Sequence, residues 1–189
     1  MSHAAVLTGM TVAGFLAWDL GQPDRHELVD GVPRAMTGAR QRRDRVVVNV
    51  LATLHVQLRG RECRAFTADT AVVAGNGNVR RPDAGVDCGP PDDDALSAAD
   101  PRVLVEVLSP STREFELIEK LEDYRGIARL LAILLVDPDE ARVSLWHREA
   151  AGLGWEHAVL RGRDTVVVLP AVGLALPLAD NYAGLPFRA

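Results

Sequence analysis

One short stretch limits the fold of this chain more than any other. Residues 103–108 read Val-Leu-Val-Glu-Val-Leu, a continuous apolar run interrupted by a single carboxylate, Glu106. An apolar run of this length is typical of a strand that is covered on both faces, so the sequence predicts a central strand here. An ionised carboxylate is almost never buried without a partner or a metal ion. Some other group must therefore compensate the charge of Glu106.

The remaining patterns predict an α+β fold, in which a mixed β-sheet is flanked by helices in an α/β/α-like arrangement. Of the 189 residues, 48% are hydrophobic and 25% are charged, and no repeat or linker divides the chain. A single domain over residues 1–189 is therefore expected. Capping residues and closing glycines predict helices over residues 12–20, 39–59 and 111–125. Alternating patterns and turn residues predict strands over residues 26–29, 32–36, 63–68, 71–74, 83–88, 103–108, 130–136, 142–147, 156–160 and 165–169.

A second carboxylate, Asp83, begins the predicted strand that precedes the Glu106 strand. If the two strands pair, the two carboxylates converge. Together with the main-chain carbonyl of Val107 they offer hard oxygen ligands, although too few for a closed cage. Mg²⁺ accepts such a set because it keeps water molecules and takes further ligands from phosphates. The spacing therefore predicts a site for Mg²⁺ or Mn²⁺ on Asp83, Glu106 and Val107.

Lys120 is the only lysine among the 21 basic side chains; the other 20 are arginines. A position that keeps lysine in such a chain is one where a compact ammonium on a flexible stem is useful. On the helix after Glu106, Lys120 shares one face with Arg113, Glu116 and Tyr124. Such a face can deliver an ammonium to a metal-bound water or a phosphate. Chance retention and a solvated face with a weak Glu116–Lys120 pair stay open as alternatives.

These residues resemble a known family. The stretches Arg81-Pro82-Asp83 and Val105 to Arg113, followed by Lys120 and Tyr124 and preceded by residues 26–31, look like the Uma-type putative restriction endonucleases of the PD-(D/E)XK nuclease superfamily. The likeness runs from about residue 10 to residue 137 and weakly over the C-terminal strands of 142–189. It implies a restriction-endonuclease-like fold and metal-dependent DNA hydrolysis. It also implies four catalytic residues: Glu27, Asp83, Glu106 and Lys120, with Glu27 holding a second ion or a metal-bound water.

DNA is the partner that this resemblance implies, and one basic cluster offers a place for it. Arg40, Arg42, Arg43 and Arg45 lie at the start of the long predicted helix, and Arg113 is added to this set. They can contact the phosphate backbone, although cations at a helix N-terminus oppose the helix dipole and can instead pair with acidic neighbours. The net charge of −5 keeps a second function open, a nuclease-like module with little or no catalysis that binds DNA or a protein. Hydrolysis of smaller phosphate esters is a third.

Two features of the sequence predict the cellular compartment: its two cysteines and the absence of long apolar runs. Cys63 and Cys88 stand 25 positions apart without a C-x-x-C pair, which argues against a zinc ribbon, a redox dithiol or a disulfide framework. A reducing cytoplasm is therefore expected, and no membrane span or signal peptide is predicted. A homodimer is also expected, because cutting two strands needs two sites and exposed edge strands near the C-terminus can form an interface.

Overall fold

The computed structural model describes residues 9–36, 38, 40–109 and 114–186. It confirms the α+β class, with a mixed central sheet between helices. The six strands of this sheet are, in spatial order, β10 (Glu156–Arg161), β9 (Arg142–His147), β8 (Ala132–Val136), β7 (Pro101–Val107), β6 (Ala84–Asp87) and β3 (Arg64–Thr67). The apolar run around Glu106 is a central strand, as predicted, and is buried along almost its whole length.

The pairing of the central sheet follows from its connections. Strands β7 and β8 run parallel and are joined by helix α3 (Glu114–Arg125), because a parallel pair needs a crossover connection. Strands β6 and β7 run antiparallel, with Ala84 opposite Val105. Asp83, the residue before β6, lies close to the end of β7, because its carboxylate accepts the backbone N–H of Val107. The pairing on which the sequence-based metal site depended is therefore present.

A second, smaller sheet lies beside the central one. Its order is β2 (Val32–Ala35), β1 (His26–Val29), β5 (Val79–Arg80) and β4 (Val72–Val73). The predicted hairpin turn is confirmed: Asp30 and Gly31 both have positive φ, of 51° and 77°, as a tight two-residue turn requires. The predicted strands between residues 63 and 88 therefore do not share one sheet. Strand β5 pairs with β1 of the hairpin and β4 pairs with β5, whereas β3 and β6 join the central sheet.

Helices cover the two faces of the central sheet. Side chains of β7 alternate between the faces, so Val103, Val105 and Val107 point to one face and Leu104 and Glu106 to the other. Helix α2 (Gln41–Leu58) packs on the valine face through residues spaced four apart: Val46, Val50, Leu54 and Leu58. Helix α3 packs on the Leu104 face through Tyr124. Helix α1 (Val12–Asp19) begins at the predicted cap, where the Thr11 side chain accepts a hydrogen bond from the backbone N–H of Gly14.

The C-terminal region holds elements that the sequence patterns did not predict. The expected strand β11 (Val166–Leu169) forms a hairpin with β12 (Leu174–Pro177), which is followed by helix α4 (Leu178–Asn181). Apolar side chains of both strands join the core beneath α2. The short, proline-containing β12 escaped prediction because its burial comes from packing on α2 rather than from a periodic pattern.

The expectation about the cysteines was wrong. Cys63 and Cys88 form a disulfide bond between the two sides of the β3–β6 pair. The register explains it: Arg64 lies opposite Asp87, so the next residues outward face each other. Spacing in sequence did not show this proximity. The pairing removes the ground on which the sequence favoured a reducing compartment, because disulfides persist mainly in oxidising ones. Among the described residues, no helix is long and apolar enough to cross a membrane.

Candidate functional site

The charge of Glu106 is compensated from the α3 side of the sheet. Its side chain is buried, and its Oε1 accepts hydrogen bonds from the Tyr124 hydroxyl at 2.6 Å and from Lys120 Nζ at 3.2 Å. Desolvation by burial raises the pKa of Glu106 above its ordinary value, and the charges of Asp83 and Glu27 act in the same direction. Lys120 and the Tyr124 hydrogen bond oppose this rise. The anion is thus held by two donors of one helix.

Lys120 joins two carboxylates that come from different sheets. Its Nζ lies 2.9 Å from Oε1 of Glu27 on β1 and 3.2 Å from Oε1 of Glu106 on β7. Burial, the largest influence, acts to lower the pKa of Lys120, but the charges of Glu106 and Glu27 outweigh it and raise this pKa above its ordinary value. Lys120 is therefore an ammonium at every physiological pH, at the point where the two sheets meet.

Glu27 is fixed by the basic Arg80-Arg81 pair at the end of β5. Its Oε1 accepts the backbone N–H of Arg81 at 3.0 Å, and its Oε2 lies 3.2 Å from Nη1 of Arg80. Arg80 also donates from Nε to Asp123 of α3 at 2.6 Å. The resulting chain of charges, from Asp123 through Arg80 and Glu27 to Lys120, ties α3 to the second sheet. It leaves Lys120 little freedom to move.

Asp83 is compensated from the opposite side, by helix α2. Both of its carboxylate oxygens lie 2.6 Å from Nη2 of Arg43, and Oδ2 also accepts the backbone N–H of Val107 at 2.7 Å. Nε of Arg43 donates to the carbonyl of Val107 at 2.7 Å. Desolvation by burial raises the pKa of Asp83, and the charge of Arg43 is the main influence that opposes this rise.

The oxygen atoms of this site fit a hard divalent ion. No group of three or more His, Cys, Asp or Glu side chains is arranged to hold a metal within the described ranges. The carboxylate of Asp83 and the carbonyl of Val107 nevertheless converge on one cation, the Arg43 guanidinium, and Glu106 is the neighbouring carboxylate. Such an open, all-oxygen set suits an ion that keeps several water ligands. Asp83, Glu106 and Val107 would hold it.

The predicted arginine cluster is divided. Arg40 and Arg45 are exposed at the start of α2. Arg43 instead pairs with Asp83, which is the alternative in which an arginine of the cluster pairs with an acidic neighbour. Arg42 turns to the C-terminal region, where its Nε lies 2.8 Å from the carbonyl of Pro138. Arg113, the fifth residue of the predicted DNA-binding set, and the predicted start of the third helix at residue 111 lie outside the described residues.

Sequence reasoning assigned no role to three residues that complete the site. Tyr124 was placed on the Lys120 face of α3, and its position one turn after Lys120 was the signal that it reaches the same carboxylate. Arg80 and Asp123 gave no comparable signal, because arginine and aspartate are usually surface residues. Here they are 3% and 6% exposed.

Several known proteins are similar to this chain in sequence or in fold. The family model described as Uma2, putative restriction endonuclease, matches residues 12–179. An uncharacterized protein of Synechocystis sp. is 28% identical over 188 residues, which cover 98% of each chain. A second one is 26% identical over 132 residues, which cover 68% of this chain and 75% of that one. A crystal structure described as a putative nuclease belonging to DUF820, from Anabaena variabilis, aligns with a TM-score of 0.69 at 19% identity, covering 92% of this chain and 98% of that one.

Proposed function

The chain belongs to the Uma2 family of putative restriction endonucleases, and on that basis we propose that it is a divalent-metal-dependent endonuclease that hydrolyses phosphodiester bonds of DNA. The observation that carries this proposal is the convergence of two buried carboxylates and one ammonium at the edge of two sheets. Asp83 accepts the backbone N–H of Val107, the residue after Glu106, and Lys120 reaches Glu106 within 3.2 Å. This is the combination of hard ligands and a fixed cation that phosphoryl transfer requires.

Each of these residues has a definite part in the proposed reaction. Asp83, Glu106 and the Val107 carbonyl would hold Mg²⁺ or Mn²⁺. A bound divalent ion lowers the pKa of its water and stabilises negative charge on the phosphate. Lys120 holds the attacking water by a hydrogen bond and offsets negative charge at the phosphorus during in-line displacement. For Glu27 we propose a positioning role in place of the expected second ion or metal-bound water, because its carboxylate already contacts Arg80 and holds the Lys120 ammonium in place.

The contact with DNA is proposed to lie at the start of α2. Arg40 and Arg45 are exposed there, next to the turn of the helix that carries Arg43 toward Asp83. Phosphate contacts supply most of the non-specific affinity for DNA. Local positive charge at this place can therefore compensate for a net charge of −5.

The proposal is tested by metal-dependent cleavage of a supercoiled plasmid. We expect nicking or linearisation with Mg²⁺ or Mn²⁺ and none with EDTA. Asp83→Asn, Glu106→Gln and Lys120→Met should each abolish cleavage. Glu122→Gln serves as the matched control, since Glu122 is an exposed acid on the same helix as Lys120, and this variant should cut as the parent does. Undiminished cleavage by purified Glu106→Gln would refute the assignment.

One observation favours the second function, a nuclease fold that binds DNA or a protein with little catalysis. Arg43 already neutralises the carboxylate that would bind the metal. Calorimetry with Mn²⁺ separates the two functions. Binding that is lost in Asp83→Asn supports the nuclease, whereas DNA binding without any binding of Mn²⁺ supports the module.

We also propose that two copies associate through the outer strand β10. This strand closes one end of the central sheet and pairs on one side only within the described residues, and Val159 on it is 47% exposed. Unpaired strand edges are natural sites of association. Light scattering should give the mass of a dimer for the parent. Val159→Lys should shift it toward the monomer, and a monomeric parent would contradict the proposal.

A further inference from the structure

Arg43 makes three contacts with oxygen atoms of the proposed metal site. Its Nη2 lies 2.6 Å from each carboxylate oxygen of Asp83, and its Nε lies 2.7 Å from the carbonyl oxygen of Val107. The fork of the guanidinium thus closes on one side chain and one main-chain carbonyl of neighbouring strands. Such charge-assisted bonds in a fork geometry are strong and directional.

These oxygens are the ones that the proposed metal ion would need. A divalent ion of this kind lies about 2.1 Å from its oxygen ligands and carries water on its other sides. A guanidinium nitrogen 2.6 Å from the same two carboxylate oxygens occupies that space. Two cations also repel each other at such a separation. Arg43 and the metal therefore exclude each other.

We propose that Arg43 is a built-in counter-cation that closes the metal site, so that metal binding requires the Arg43 side chain to move away. This inference rests on the proposed metal-dependent function. The observed metal affinity then depends on the equilibrium between two states of the protein. In the closed state Arg43 covers Asp83 and Val107, and in the open state the metal does.

The structure also indicates which partner moves. Val107 is held in the parallel β7–β8 pair opposite Val136, and Asp83 is tied to it by a hydrogen bond of 2.7 Å from the Val107 N–H. Arg43, in contrast, lies in the first turn of α2, and its side chain is 22% exposed on a flexible stem. The oxygens are thus fixed by the sheet, while the guanidinium has an exit to solvent.

The experiment measures Mn²⁺ affinity of the full chain by calorimetry, with bound Mn²⁺ counted separately by electron paramagnetic resonance. In Arg43→Gln the closed state is lost, so Mn²⁺ should bind roughly tenfold more tightly or better. The reason is that the apparent affinity of the parent is reduced by the small fraction of molecules that are open and able to bind the metal. Arg45→Gln is the matched control, since it removes an exposed charge two residues further on. Its affinity should stay within about twofold of the parent, because an exposed charge is largely screened.

Two further variants keep the test decisive. Arg43→Lys retains the charge but cannot span both acceptors with a fork, so its affinity should lie between those of the parent and Arg43→Gln. It also replaces Arg43→Gln if that protein does not fold. Asp83→Asn should lose Mn²⁺ binding. If Asp83→Asn loses binding while neither Arg43 variant gains any, the inference is overturned and the proposed function stands. If the parent and both Arg43 variants bind no Mn²⁺, the proposed metal site fails and the inference fails with it.

Discussion

Replacing Lys120 by Met removes the ammonium and keeps most of the side-chain volume. In the parent this ammonium lies between Glu27 and Glu106, which are 8% and 6% exposed. Without it, the two buried carboxylates lose the cation that contacts both of them. We therefore expect Lys120→Met to lower the free energy of unfolding, and to do so most where Glu106 is ionised.

The magnitude follows from burial. Removing one partner of a buried ion pair costs about 3–5 kcal/mol. The Lys120 side chain is 18% exposed, so we expect the lower end, about 3 kcal/mol at pH 8. For a chain of this size that loss lowers Tm by roughly 6–12 °C.

The dependence on pH gives the sharper test. Lys120 lowers the pKa of Glu106, so in Lys120→Met this pKa rises further above the ordinary value of 4.5. At a pH between the ordinary pKa of Glu106 and its raised pKa in the folded variant, the folded protein binds a proton that the unfolded chain does not. The free energy of unfolding then increases as the pH falls. Glu106 contributes up to about 1.4 kcal/mol per pH unit in this range. The contribution of Lys120 itself is constant here, because its ordinary pKa is 10.5.

Urea unfolding followed by tryptophan fluorescence at pH 5, 6, 7 and 8 measures the effect. The deficit of Lys120→Met against the parent should shrink toward pH 5, to less than half of its value at pH 8. The control is Arg34→Met, which removes a half-exposed cation 3.5 Å from Glu119. This variant should lose less than about 1 kcal/mol, at every pH. A deficit that stays constant from pH 5 to 8, or that grows toward acid, would refute the reasoning.

Three more results are expected. Tyr124→Phe removes the hydroxyl 2.6 Å from Glu106 and should cost about 1.5–3 kcal/mol in urea unfolding, the usual contribution of a hydrogen bond to a charged group; an unchanged midpoint would contradict the contact. Because burial raises the pKa of Glu106, the parent should gain stability relative to Glu106→Gln as the pH falls from 8 to 5, and a relative loss toward acid would show that this pKa is lowered instead. Dithiothreitol should lower stability by about 3 kcal/mol by opening the Cys63–Cys88 bridge, and Cys63→Ser/Cys88→Ser should match the reduced parent and no longer respond to the reductant.

Much of the fold was predictable because its signals are local. The apolar run around Glu106 indicated a central strand, and Asp30-Gly31 indicated a tight hairpin, since strand burial and turn geometry depend on neighbouring residues. The proximity of Asp83 to Glu106 followed from pairing two consecutive strands. These features needed no knowledge of how the helices pack.

The contacts that depend on packing were not predictable in the same way. The disulfide depends on the register of β3 and β6, which no residue of the sequence marks. The position of Arg43 depends on where the first turn of α2 meets the ends of β6 and β7. A cluster of arginines has the same appearance in sequence whether it faces DNA or a buried carboxylate, so the helix had to be placed before its members could be separated.

The formal charges of the site explain why its three cations have different parts. The charged groups within the described residues that form the connected site are four acids and three bases: Glu27, Asp83, Glu106 and Asp123 with Arg43, Arg80 and Lys120. The site has a formal charge of −1, so a divalent ion would bring it to +1 unless one base leaves. Arg80 and Lys120 each contact two of the acids, and their side chains are only 4% and 18% exposed. Arg43 contacts one acid and is the most exposed of the three bases. If Arg43 leaves when the metal binds, the site becomes neutral with the smallest loss of contacts to acids. The released guanidinium then lies at the N-terminal end of α2, where Arg40 and Arg45 are exposed.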